Sequence, residues 1–200
     1  MARAGDELVN PATGLRTVFR ETAWTTDGAL LQVDCIGRPG WTTGPDHVHP
    51  RQEERFEVLC GTLGLRTDGV ARSHRPGDVV VVPAGLPHAA WNAGTDELHL
   101  LVDFRPALRT ENAFETFAGL ARAGMTTVAG VPRNPLRLAL VLRHFDDEIR
   151  FVRPPLVVQR AILGPLASLG RVLGYRAECP QADGGKGSAS NATDRRGGFS

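Results

Sequence analysis

The chain has 200 residues, 42% of them hydrophobic and 22% charged, which suits one globular domain with additions. With 23 basic and 22 acidic residues the net charge is +1, so the balance gives no footprint for nucleic acid or an anionic surface. The opening "MARAGDELVNPATG" has acids and no apolar centre, so it does not read as a signal peptide, and no apolar run reaches the roughly 18 residues of a membrane span. Cys35, Cys60 and Cys179 have no ligand-like spacing and read as reduced, mostly buried thiols, so a cytoplasmic location is expected.

From about Leu15 to Phe104 the chain reads as short strands between turns. "ALLQVDCI" (29–36), "RFEVLCG" (55–61), "DVVVVP" (78–83), "HAAWN" (88–92) and "ELHLLVDF" (97–104) are strand-like. "GRPG", "TDG", "RPGD", "PAGLP" and "NAGTD" separate them, and 23 glycines and 14 prolines fit so many tight turns. This spacing predicts an all-β sandwich or barrel. The four consecutive valines of "DVVVVP" suit a strand covered on both faces.

The periodicity turns helical from about Thr110 to Tyr175. Thr110 is placed to cap a helix running to Gly124. Asn134 and Pro135 form an N-cap and first-turn pair opening "LRLALVLRHFDDEI". A third helix lies in "PPLVVQRAILGPLASLGRVLGY", with a bend expected at Gly164 and Pro165. Its Leu156, Ile162, Leu163, Leu166, Leu169 and Leu173 make one apolar stripe, expected to pack on the barrel or on a second subunit of a homodimer. The Gly- and Ser-rich stretch from 179 to 200 is expected to be disordered. The expected organisation is therefore a β-domain over 1–107 with an N-terminal strand arm, a helical extension over 108–178 and the tail.

Chemistry concentrates in "HVHPRQEERFEVLCG" (47–61), which holds two of the six histidines. Residues i and i+2 of a strand face the same way, so His47 and His49 project together. Glu54 follows a Pro-led turn and can return to that face, beside Phe56 and Val58. A carboxylate among apolar neighbours is costly unless a cation compensates it. In "GDVVVVPAGLPHAAWN" (77–92), His88 follows a Pro-Gly turn and completes a set of three imidazoles and one carboxylate. Such a set, with positions left open, suits Fe, Mn, Co, Ni, Cu or Zn. Glu53 is the alternative acid, but spacing to Gly61 favours Glu54. His99 alternates with Leu98 and Leu100 and reads as a packed or surface residue; His74 and His144 read as exposed. Phe56, Val58, Ala90 and Phe104 have the parity to line a pocket, and Trp41 and Trp91 are candidates to cover its mouth.

These two stretches resemble the paired motifs of the cupin superfamily. The first, Gly-x5-His-x-His-x(3,4)-Glu-x6-Gly, maps onto His47, His49, Glu54 and Gly61, with four and six residues intervening. Its leading glycine falls at Trp41, a departure that leaves the ligands intact. The second, Gly-x5-Pro-x-Gly-x2-His-x3-Asn, maps without departure onto Gly77, Pro83, Gly85, His88 and Asn92. The 15 residues from Thr62 to Pro76 separate them. The resemblance covers about 10–107, and the chain is also similar to actinobacterial single-cupin proteins with a helical C-terminal extension. It implies a mainly β fold, a small double-stranded β-helix (jelly-roll barrel), with C-terminal α-helices. It also implies one divalent transition metal, with Fe(II) favoured over Mn, Ni, Cu or Zn, held by His47, His49, Glu54 and His88. The expected activity is that of an oxidoreductase, an iron-type oxygenase or dioxygenase on a small aromatic or enolisable molecule, with Glu54 doubling as a catalytic base. The alternatives are a redox-neutral cyclase, isomerase or decarboxylase of polyketide-cyclase type, and a non-catalytic small-molecule binding cupin. The expected partner is a small-molecule substrate, with no nucleic acid.

Overall fold

Residues 2–178 are described by the structure, a computed structural model. The N-terminal arm supplies β1 (Glu7–Val9) and β2 (Arg16–Glu21), followed by β3 (Leu31–Gly37), β4 (His47–Val48) and β5 (Glu53–Cys60). β6 (Leu63–Thr67), β7 (Val70–His74), β8 (Val79–Val82), β9 (His88–Asn92) and β10 (Leu98–Arg105) complete the barrel. The extension holds α1 (Thr110–Arg122), α2 (Pro135–His144), β11 (Arg150–Phe151) and α3 (Leu156–Val172). The strands form a six-stranded sheet, β1-β2-β3-β10-β5-β8, and a five-stranded one, β11-β4-β9-β6-β7. All the pairings are antiparallel. The fold is thus mainly β with C-terminal helices, as expected.

Alternation decides which residues meet. Along β10, Leu98, Leu100, Val102 and Phe104 are buried in the core. They join Leu31, Val33, Phe56 and Val58 of their own sheet and Leu63, Leu65 and Ala90 of the facing one. Each of these Leu, Val and Phe side chains contributes about 1.5–3 kcal/mol by leaving water. Two motif residues close the turns. Gly61 has φ +83°, and a Cβ there would lie 2.6 Å from the Glu97 carbonyl oxygen, so only glycine fits. Asn92 donates through Nδ2 to the Gly37 and Asp96 carbonyls and accepts from the Gly94 amide, tying the end of β9 to its neighbours.

Several sequence expectations are corrected. β8 is an edge strand with Val79 and Val81 about half exposed, so the valine run is covered on one face only. Thr110 is the first residue of α1 rather than its cap: Arg109 holds that place, and the Thr110 hydroxyl accepts from Gln52 Nε2 at 2.8 Å. α3 carries Pro165 inside it and packs against α2, through Leu163, Leu166, Ala167 and Gly170. Its predicted stripe divides: Leu163 and Leu166 pack inward, while Ile162, Leu169 and Leu173 lie exposed. Cys35 is buried but Cys60 is exposed; Cys179 and the tail lie outside the described residues. The Asn134 cap is as predicted, its Oδ1 accepting from the Leu136 and Arg137 amides. No described helix is long and apolar enough to cross a membrane.

Candidate metal centre

β4 is short, but it sits between β9 and β11 and so has a neighbour on each side. His47 pairs directly with His88 across the β4–β9 ladder. His49 leaves the end of β4 on the same face, and Glu54 enters from β5 opposite Val82. His47, His49, Glu54 and His88 are all buried, and their ligand atoms lie within 4.8 Å of one another. The ring centroids stand 5.2 Å (His47–His49), 4.4 Å (His47–His88) and 5.2 Å (His49–His88) apart. The sequence therefore placed all of its candidate ligands in one cluster.

Each imidazole turns Nδ1 to a backbone carbonyl: His47 to Pro45 at 3.2 Å, His88 to Leu86 at 2.9 Å, and His49 to Glu148. A carbonyl only accepts, so Nδ1 carries a proton in each ring and Nε2 is the nitrogen turned to the cluster centre, where it can ligate once it carries no proton. His88 Nε2 lies 2.8 Å from Glu54 Oε2. His49 Nε2 lies 3.3 Å from the same oxygen but has no hydrogen-bond partner among the described residues. A buried lone pair without a partner is expensive, and a divalent cation relieves it. The donor set thus fits a first-row transition metal, three nitrogens and one carboxylate with room for further ligands.

The electrostatics agree. Burial, reinforced by His88 and His49, lowers His47 from 6.5 to about 4, so it stays neutral as a ligand must. Burial alone would raise Glu54, but His49 and His88 outweigh it and hold the carboxyl below the usual range. Burial opposes protonation of His88, yet its bond to Glu54 prevails and raises it.

The cluster opens into a cavity of about 210 Å³. Its wall carries Phe56 and Phe104, as the sequence suggested, with Trp41, Cys35, Leu100 and Val102. Val58 and Ala90 are placed otherwise: each has the right parity but lies deeper in the barrel, opposite Leu100 and Leu65, and contributes to the core rather than to this wall. Trp91 packs over Gly64 and under Arg66, not at the cavity. His99 is not a ligand; it bonds Asp34 at 2.8 Å. Sequence reasoning missed the wall residues of the N-terminal arm, Thr13 and Leu15 among them, and those of the extension: Phe114 and Phe117 of α1, with Glu148, Ile149 and Phe151. Among the described lining residues there is no lysine or arginine.

Residues 36–104 match the family described as Cupin_2: Cupin domain. The chain is 32% identical over 113 residues to germin-like protein 3-3 of Oryza sativa subsp. japonica, covering 52% of this chain and 50% of the relative. It is 37% identical over 127 residues to oxalate oxidase 1 of Hordeum vulgare, covering 52% and 62% respectively. The chain thus spans about half to three-fifths of the length of these curated relatives. Among solved structures, KdgF from Halomonas sp. is similar with a TM-score of 0.46 and 23% identity, over 53% of this chain and 92% of that one.

Proposed function

We propose, on the premise that the chain belongs to the cupin superfamily through a single cupin domain, that it is a mononuclear-metal enzyme. Its substrate would be a small, mainly apolar molecule with an acidic hydroxyl or enol, and its reaction an oxygenation. The observation that carries this reading is the opening of a buried three-histidine, one-glutamate cluster into an apolar cavity. A bound Fe(II), or Mn, Ni or Cu, would supply Lewis acidity and access to one-electron chemistry with O₂. His47, His49, Glu54 and His88 would hold it. Phe56, Phe104, Phe114 and Phe117 would sandwich a flat substrate and exclude water. Glu54 is the residue placed to take the substrate's proton at Oε2, with His88 Nε2 beside that oxygen.

The curated relatives named oxalate oxidase suggest a second substrate class, a small dicarboxylate. The wall argues against it. Without a lysine or arginine in that wall, a dianion would meet the Glu54 carboxylate with no cationic side chain beyond the cluster's imidazoles, and the metal, to offset its charge. A redox-neutral isomerase or cyclase remains the alternative that the adjacent Glu54–His88 acid–base pair favours.

The test is elemental mass spectrometry on protein purified without chelator or metal-affinity tag, followed by O₂-uptake assays. The panel is dihydroxylated aromatics, β-diketones and oxalate. About one iron, nickel or copper per chain, with O₂ consumed on an aromatic or enolisable compound, supports the proposal. Zinc or manganese with turnover that proceeds without O₂ moves the assignment to the redox-neutral enzyme. No metal after reconstitution leaves a binding module.

A further inference from the structure

The three histidines are not oriented alike. His47 and His88 are fixed by carbonyls two residues before them, Pro45 and Leu86, within their own turns. His49 instead donates its Nδ1–H to the carbonyl of Glu148, 99 residues later in the extension. That carbonyl is itself held in place. The Glu148 carboxylate, 3% exposed, accepts from the Arg109 amide at 3.1 Å, from its Nε at 3.0 Å and from Nη2 at 3.3 Å. The same guanidinium donates to the His144 carbonyl and lies 5.7 Å from the ring centre of the fully buried Phe145. Beyond Glu148, β11 pairs with β4, with Phe151 opposite His47, and the Val152 amide donates to the Asp46 carbonyl at 3.0 Å. Residues 145–152 thus strap the ligand strand on the side away from β9.

We infer that Arg109 and Glu148 are positioning residues for the metal centre: their ion pair fixes the carbonyl that sets the ring orientation and tautomer of His49. The inference rests on the metal-binding reading above. Neither side chain reaches the cluster as a donor, so both act through His49. Without the Glu148 carbonyl the His49 ring can turn and move its proton between nitrogens, and Nε2 is no longer presented to the centre. Loss of such an outer partner typically weakens metal affinity roughly 10–100-fold. The pairing also uses a fork: Arg109 reaches both carboxylate oxygens and a carbonyl from Nε and Nη2, two nitrogens held apart in one rigid plane, a span that the single nitrogen of an ammonium does not reproduce.

The test titrates the full-length metal-free protein with Co(II) alone and follows the visible d–d band. Glu148→Gln and Arg109→Ala are expected to bind roughly 10–100-fold more weakly, with a shifted or weakened band. Arg109→Lys is expected not to restore either. Arg16→Ala, which removes an exposed pair with Glu7 at the far sheet edge, should behave as the unaltered protein. The nearly isosteric Glu148→Gln decides alone if Arg109→Ala fails to fold, and circular dichroism establishes that it is folded. Unchanged affinity and an unchanged band in folded Glu148→Gln overturn the inference while leaving the metal reading intact. An unaltered protein that binds no Co(II) overturns both.

Discussion

His88→Ala is the substitution with the largest calculable consequence. His88 is 1% exposed and its Nε2 is the nearest cationic or donor group to the Glu54 carboxylate, itself only 6% exposed. Removing it leaves a buried carboxylate with His49 alone. Breaking a buried pair by deleting one partner costs about 3–5 kcal/mol. For a chain of this size each kcal/mol moves the melting temperature about 2–4 °C, so the metal-free variant should melt roughly 6–20 °C below the unaltered protein. Metal enters separately. An ion present at ~100-fold its Kd adds about 2.7 kcal/mol, or roughly 5–11 °C, to a protein that binds it only when folded. His88→Ala also loses a ligand, so that increment should vanish. The assay is calorimetry on chelator-stripped protein, with and without Fe(II), Mn, Co, Ni or Zn under anaerobic conditions where needed. A variant that melts with the unaltered protein in chelator and keeps its metal increment would refute the reasoning, because His88 would then neither compensate Glu54 nor hold the ion.

The remaining predictions are narrower. His47 is depressed from 6.5 to about 4, so the unfolded chain binds the proton first as pH falls. Metal-free protein should therefore lose stability between pH 6.5 and about 4, and His47→Gln should flatten that part of the melting-temperature profile; an equally steep profile in the variant would assign the loss elsewhere. His88, which is raised, acts in the opposite sense: its contribution is complete below 6.5 and is lost as pH climbs through its folded value. Phe145→Ala empties the centre of the cluster formed by Ala113, Leu120 and Val141 and should cost about 3–5 kcal/mol by denaturant titration. Phe117→Ala opens the cavity wall without touching a ligand; it should admit bulkier aromatic ligands, read as ligand-induced melting shifts, with Co(II) affinity unchanged.

What could be read from the sequence was what repeats locally. His47 and His49 share a face because strand side chains alternate with period two, and Gly61 and Asn92 mark turns whose geometry admits little else. The strand set was largely legible for the same reason, from β3 through β10, although β6 and β7 lack long apolar runs and passed unread, and the N-terminal strand arm was read without the bounds of β1 and β2. Burial of a strand's second face was not legible. Four valines in a row look the same in a central strand and at an edge, and only the sheet order shows that β8 has one neighbour. The α3 stripe failed in the same way: its leucines fix that a face is apolar, not which neighbour covers it.

The part of the site that stayed hidden is the part made by long-range contacts. Glu148 sits in "DDEI", where a third consecutive acid looks like solvated helix surface, yet its carbonyl meets His49 and its carboxylate meets Arg109. Nothing in either local pattern encodes that meeting; it follows from β11 joining the edge of the β4 strand, which puts residues 47 and 151 side by side. The extension is then more than a cover. It supplies a neighbour strand to the ligand strand, an orienting carbonyl to one ligand and aromatic wall to the cavity. A barrel cut at residue 107 would keep the candidate ligands in sequence but would lose the partner of His49 Nδ1, the β4–β11 ladder and Phe114, Phe117 and Phe151. The candidate site is therefore a property of barrel and extension together: the motif supplies the cluster, and the helical extension supplies part of the wall around it.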